Sequence, residues 1–181
     1  MRISFELEAN DIARFHAALE RAEHLAACMD ECDIVETAKE ALDRLPIGSA
    51  PGYVRQRLVS VQRMILMLED EAWALPALER TEVLRTLVYF ADPDDLIPDD
   101  VAVIGLLDDA IMLELLLRRL RHVLDAYDDF CVFCRQQAAA MASDRIATSG
   151  VIARRRDALR ERMRRRIARA ATADNRSANR R

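Results

Sequence analysis

The sequence predicts an all-α fold, a bundle of about five main helices with a helix–turn–long-helix centre. Three observations carry this reading. The 181 residues include only four glycines and five prolines, too few for the many tight turns of a sandwich or barrel. Aromatic residues make up 5% of the chain, while Ala, Leu, Arg and Glu dominate. Apolar residues also recur at three-four spacing through most of the chain, the period of a helix with one buried face. A chain of this length is expected to form one domain with a real core.

Near the start, Ile3, Phe5 and Leu7 alternate with Ser4 and Glu6, a short strand or an extended lead-in. Asn10 or Asp11 is placed to cap a first helix whose Ile12, Phe15, Leu19, Ala22, Ala26 and Met29 share a face. Asp33 is placed to cap a second, carried by Ile34, Val35, Ala38, Leu42 and Leu45 and ended by the Pro- and Gly-containing run 46–52. The third buries Val54, Leu58, Val61, Ile65 and Leu68 and is expected to end near Trp73. Pro76 suits the first turn of a fourth helix, where its missing N–H is not needed, and Leu84, Leu87 and Val88 carry it to about Phe90. After a turn, Leu113, Leu117, Leu120, Leu124, Tyr127, Cys131, Cys134, Ala138 and Met141 keep a seven-residue repeat in one long helix. Ser149-Gly150 is expected to break it. The expected organisation is an all-α domain over 1–148 and an Arg-rich tail, amphipathic or partly disordered, over 149–181.

A net charge of −4 conceals a strong asymmetry. Residues 1–143 carry 14 basic and 27 acidic groups, and residues 144–181 carry 13 and 4, so a body at −13 is joined to a segment at +9. The basic residues are 26 Arg and one Lys (Lys39), a preference read as genome composition rather than as a binding signal. Met1 to Leu7 contains acids and lacks the apolar core of a secretory leader. The longest apolar stretch, Val101–Leu117, is interrupted by Asp108, Asp109 and Glu114. Each carboxylate near a bilayer centre costs about 2–4 kcal/mol, which disfavours a lipid-exposed span. A cytoplasmic protein, with a peripheral place on the inner membrane kept open, is the expectation.

The segment least like packing sequence is 92–109, where seven aspartates sit among Leu, Ile and Val with Pro93, Pro98 and Gly105. The prolines stop the fourth helix near Ala91, and Pro98 can open the next. Asp99 and Asp100 would then lie at a helix start, favoured by its dipole, and Asp108 would cap the long helix if Gly105 marks a break. Arg85, Arg118 and Arg119 are candidate partners for these acids. The alternative is a hard-metal site for Mg²⁺ or Ca²⁺. The spacing matches neither an EF-hand loop nor the Asp-Asp-x-x-Asp pattern of prenyl-transfer enzymes. The acid pairs Glu20/Glu23, Glu79/Glu82 and Asp92/Asp95 faintly resemble those of all-α nucleotide pyrophosphatases.

Tyr89, Pro93, Asp95, Leu96, Ile97, Pro98, Asp99, Gly105, Asp108 and Asp109 together resemble the YkvA-like bacterial domain of unknown function. The likeness covers about residues 80–120. Where the family often has a second proline before the glycine, this chain has Val101-Ala-Val-Ile. The resemblance implies no established activity or catalytic residue. Some members look membrane-associated, which bears on a peripheral role.

Cys28-x3-Cys32 and Cys131-x2-Cys134 each place two sulfurs on one helix face, and four thiolates could hold Zn²⁺, with His24 as a substitute ligand. Their place on apolar stripes favours buried thiols instead. No stable disulfide is expected in a cytosolic protein. His16, His24 and His122 share no catalytic spacing, and four glycines leave no phosphate-cradling loop.

The tail pattern places Ile152, Leu159, Met163 and Ile167 on one face, with Arg154, Arg155, Arg156, Arg164, Arg165 and Arg166 as candidate contacts for an anionic partner. That partner could be a protein, an anionic membrane or nucleic acid, and the absence of aromatics weakens single-strand binding. Self-association is also compatible with this pattern. The reading is a non-catalytic interaction or regulatory module without a required cofactor. The rivals are an Mg²⁺- or Mn²⁺-dependent phosphoester hydrolase using Asp92, Asp95, Asp99, Asp108 and Asp109, and nucleic-acid binding through the tail.

Overall fold

The computed structural model describes residues 9–45, 51–92, 105–140 and 145–178. They form six α-helices: α1 (Ala9–Cys28), α2 (Glu31–Arg44), α3 (Gly52–Glu69), α4 (Ala77–Ala91), α5 (Gly105–Ala140) and α6 (Arg145–Ala178). Among the described residues there is no strand, so the fold is all-α. The alternating stretch at residues 3–7 lies outside the described residues, as does most of the 46–52 loop.

The chain divides into two compact units. One comprises residues 1–66 with 76–118, the other 67–75 with 119–181, and α3 and α5 contribute to both. In the first unit α4 packs against both α1 and α2. The α1 face is lined by small buried residues, Ala18 and Ala22, and α2 offers Ile34, Val35, Ala38 and Leu42. From α4 come Val83, Leu87 and Val88, and Thr86 is buried with them. The Thr86 hydroxyl donates to the Glu82 carbonyl at 2.9 Å, so no unpaired polar group accompanies its burial. Leu42, Val54 and Leu58 form a cluster against which Leu45, Tyr53 and Phe90 pack. Among the described residues, Leu113, Leu116 and Leu117 are the buried α5 residues of this unit.

The second unit is built around Trp73, which is fully buried. Helix α3 ends at Glu69, not near Trp73, because Asp70 draws the chain out of the helix. Its Oδ1 accepts the Trp73 N–H at 3.0 Å, and its carbonyl accepts the Ala74 N–H at 2.9 Å. Ala74 adopts φ 43°, a left-handed conformation that costs an L-residue about 1–2 kcal/mol. Burial of Trp73 and Leu75 on either side of it offsets that strain. The indole lies 5.1 Å from the Phe130 ring and 5.9 Å from that of Tyr127, centroid to centroid. From α6, Leu159 and Met163 are buried, and Arg160 lies over the Trp73 ring at 5.5 Å and donates to the Trp73 carbonyl.

Several helix ends depart from the sequence expectations. Asn10 and Asp11 lie within α1 rather than capping it, and Asp30, not Asp33, is the N-cap of α2. Asp33 instead sits in the first turn, where a carboxylate is favoured by the helix dipole. Pro76 is the N-cap of α4, one residue before its first turn. The α5 repeat holds from Leu113 to Tyr127 and then fades: Cys131 and Cys134 are half-buried and Ala138 is exposed. The break expected at Ser149-Gly150 is absent, since both residues lie inside α6. A single glycine costs a helix interior only about 1 kcal/mol, less than burial of Leu159 and Met163 returns.

Two outcomes test this description. A Cβ at exposed Gly150 would meet nothing within 4 Å. Gly150→Ala is therefore expected to raise unfolding stability by about 0.5–1 kcal/mol in urea titrations, a gain that a helix break there would abolish. Trp73→Ala is expected to lose about 3–5 kcal/mol. Far-UV circular dichroism is the suitable probe, because Trp73 is the only tryptophan.

Candidate functional site

The base of the acidic turn is the last turn of α4. Tyr89 is half-buried and meets the Phe15 ring of α1 edge-on, with centroids 6.0 Å apart. Asp92 leaves the helix at φ −66°, ψ 120°, the extended conformation that a following proline imposes. Its N–H donates to the Tyr89 carbonyl at 3.4 Å, closing the helix end. Its carboxylate, with only 13% of the side chain exposed, accepts a hydrogen bond from Arg21 of α1 at 3.2 Å. Arg21 also lines a shallow depression along α1 with Ala17, Glu20, His24 and Leu25.

Further up α4, Arg80 holds both carboxylate oxygens of Glu31 on α2, with Nε 2.7 Å from Oε2. Arg85 bridges Glu82 at 2.7 Å and Glu23 of α1 at 3.5 Å. The acid pairs singled out in the sequence therefore separate. Glu82 and Glu23 share one arginine, while Glu79 is buried in the first turn of α4, where the helix dipole favours its charge. Arg85 and Arg118, expected to serve the acidic turn, are engaged by glutamates, and the partner of Asp92 is Arg21.

On the far side of the turn, Gly105 is already helical, so Asp108 and Asp109 fall within α5 and Asp108 is not its cap. Pro93, Asp95, Pro98 and Asp99 lie outside the described residues, as do the side chains of Asp108 and Asp109. The first acid of α5 with a described side chain is Glu114. Arg57 of α3 reaches its Oε2 with Nη2 at 2.6 Å and Nε at 3.0 Å, and Arg118 reaches Oε1 at 3.0 Å. Arg57 is itself stacked over the Tyr53 ring, 3.7 Å from the centroid. Partial burial pushes the Glu114 pKa up, but the hydrogen bonds and charges of Arg118 and Arg57 outweigh it and hold the carboxyl below its ordinary value. Arg21 and Arg57 were not foreseen. Pairs formed 71 and 57 residues apart leave no local trace, and the only signal is an arginine beside an apolar face.

Among the described residues no three His, Cys, Asp or Glu side chains converge in a group able to hold a metal ion. All four cysteines are free thiols. Cys28 and Cys32 are exposed rather than buried, because they lie at the facing ends of α1 and α2, outside the packed stripe. Cys131 and Cys134 are half-buried. Burial pushes the Cys134 thiol pKa up, and the nearby Asp70 and Cys131 push it further, which suppresses the reactive thiolate. Burial likewise raises the pKa of Tyr127, reinforced by Cys131 and Asp70.

Helix α6 divides its arginines. Arg160 is tied to Trp73, Arg162 pairs with Asp129 of α5, and half-buried Arg156 pairs with Asp157 at 3.1 Å and reaches the Ala72 carbonyl at 3.5 Å. Arg154, Arg155, Arg164, Arg165 and Arg166 are exposed. Of these, Arg155 approaches the Phe133 ring at 5.3 Å, Arg165 lies 3.8 Å from Glu161 and Arg166 lies 3.9 Å from Asp125.

The region around Arg80, Tyr89, Asp92 and Glu114 coincides with a family segment. Residues 80–115 match the family model described as protein of unknown function (DUF1232), the same family as the YkvA-like domain. The matching segment covers about a fifth of the chain. It runs from Arg80 on α4, through the acidic turn, into the opening turns of α5. No curated protein and no solved structure matches the chain.

The Glu114 site has a pH signature. A carboxyl held below its unfolded value contributes stability above that value, 4.5, and loses it as pH falls through the lower folded value. Glu114→Gln is expected to cost about 1–3 kcal/mol at neutral pH. Urea titrations from neutral to acid pH should show the gap from wild type closing below the ordinary glutamate value.

Proposed function

We propose that this DUF1232 protein is a non-catalytic interaction or regulatory module, acting in the cytoplasm or at the inner face of the membrane. The pairing of charges around the acidic turn carries this reading. Asp92 is held by Arg21, Glu114 by Arg57 and Arg118, Arg80 by Glu31 of α2 and Arg85 by Glu23 of α1. Charges used this way fix the end of α4 and the early turns of α5, from which the Asp-rich segment departs and to which it returns. A phosphoester hydrolase would instead need Asp92, Asp95, Asp99, Asp108 and Asp109 to offer oxygens to Mg²⁺ or Mn²⁺. The Arg21 guanidinium already occupies Asp92, and its charge opposes a divalent cation there. Free thiols suit a reducing compartment. No described helix is long and apolar enough to cross a membrane.

The test is thermal unfolding of the whole chain with and without millimolar Mg²⁺ or Mn²⁺, alongside phosphate release from p-nitrophenyl phosphate. An unchanged Tm and no metal-dependent release are expected. A metal held at a hundred times its Kd would add about 2.7 kcal/mol of stability. Such a rise, lost together with hydrolysis in an Asp95→Asn/Asp99→Asn variant, would install the hydrolase in place of the module.

A further inference from the structure

The exposed side of α6 carries an ordered array of arginines. At about 100° per residue, Arg165, Arg176 and Arg169 fall roughly 20°, 40° and 60° from Arg154, one line along the helix. The line extends about 33 Å from Arg154 to Arg176. Arg164 lies about 80° to one side of Arg154, and Arg155 and Arg166 about 100–120° to the other. All seven are exposed, and the acids on the same exposed side are Asp157 and Glu161. Between the arginines stand Ala158, Ala168 and Thr172, and no exposed described residue of α6 is a larger apolar one. The opposite side is committed, with Leu159 and Met163 buried and Ile152 and Ile167 half-buried.

These features discriminate among polyanions. An interfacial membrane helix needs its apolar face in the lipid, and here that face is occupied within the protein. A flat bilayer would also meet only the central line and miss the arginines at right angles to it. A protein interface wants an aromatic or large apolar anchor, which this side lacks. Single strands want aromatic platforms, which are equally lacking. A duplex groove differs, because it offers phosphates on both walls as well as ahead, and small residues let a helix approach closely.

We propose that α6 is a duplex nucleic-acid-binding helix, seated along a groove through sequence-independent arginine–phosphate contacts. The proposal rests on the non-catalytic part of the reading above and takes up the nucleic-acid alternative for the Arg-rich segment. The whole chain is titrated against a fluorescent mixed-sequence DNA duplex of about two helical turns, the matching single strand, and phosphatidylglycerol/phosphatidylcholine vesicles. If the four central arginines each release about 0.9 counterion, log affinity falls with log salt at a slope near −4, on the order of 10²-fold between 50 and 200 mM. Replacing Arg154, Arg165, Arg169 and Arg176 together by Ala should flatten the slope by about one per arginine. The corresponding Lys variant should retain binding.

No duplex binding at 50 mM salt, or binding that the Ala variant keeps, overturns the proposal. Vesicle binding lost in the Ala variant without duplex binding also overturns it and assigns the arginines to lipid. If the Ala variant does not fold, as judged by circular dichroism, the wild-type salt slope and the single substitutions decide. Metal-dependent phosphate release would remove the module reading itself. Failed duplex binding without hydrolysis removes only the partner named here.

Discussion

Helix α4 is held on two sides, by α1 and by α2, and the placement of the acidic turn depends on it. Contact on both sides is made possible by small residues, Ala18 and Ala22 on α1 and Ala38 on α2, which let the backbones approach. The driving force is burial of Val83, Leu87 and Val88, at about 25 cal/mol per Å² of apolar surface. Hydrophobic packing of this kind tolerates sliding along the helix axis. The ion pairs at its rim do not. Arg80–Glu31, Arg85–Glu23 and Arg21–Asp92 tie successive points of α4 to its neighbours, from the first turn to the last residue. Partly exposed pairs contribute little stability singly. Their effect is to fix register, and hence the point from which the Asp-rich segment departs.

The preference for arginine over lysine looks different in that light. As a matter of composition, 26 Arg against one Lys needs no structural explanation. Yet Arg57 reaches Glu114 with two nitrogens while stacked on Tyr53, Arg80 grips both oxygens of Glu31, and Arg160 covers the Trp73 ring while donating to its carbonyl. Arg57 and Arg160 use a planar guanidinium that is hydrogen-bonded at its edge and laid over a ring with its face, and Arg80 uses the two-pronged edge alone. A lysine ammonium is a compact point charge without that planar fork. The composition has therefore been put to use in packing, whatever its origin.

The helix faces were legible in the sequence because burial is periodic and strong. Ile34, Val35, Ala38 and Leu42, and Val54, Leu58, Val61, Ile65 and Leu68, are buried as their spacing implies. Helix ends were less legible, because they are settled by differences of about 1 kcal/mol that compete with packing. Asn10, Asp11 and Asp33 are good caps that lost that competition, and Ser149-Gly150 is a weak breaker inside a docked helix. The acid–base partners were illegible for another reason. Asp92 finds Arg21 only after α4 has met α1, and Glu114 finds Arg57 only after α5 has met α3. The cysteines show the limit of spacing itself: Cys28 and Cys32 fit an apolar stripe, but the ends of α1 and α2 carry them out of it.

The Arg-rich segment turns on the same distinction between pattern and occupancy. A basic amphipathic helix has two faces to offer, and sequence alone leaves open whether the apolar one is for lipid, for a partner or for its own protein. In α6 the apolar face is taken, with Leu159 and Met163 buried and Arg160 locked on Trp73. Docking also sorts the arginines. Those nearest the packed face are drawn into carbonyls and carboxylates of the same unit, as Arg156, Arg160 and Arg162 are. The remainder are left exposed on a helix whose other face is packed. A fraying tail would present its charges in every direction and would pay the ordering entropy on binding. A docked helix presents them in one fixed arc, so what it can recognise is decided by the geometry of the anion as much as by its charge.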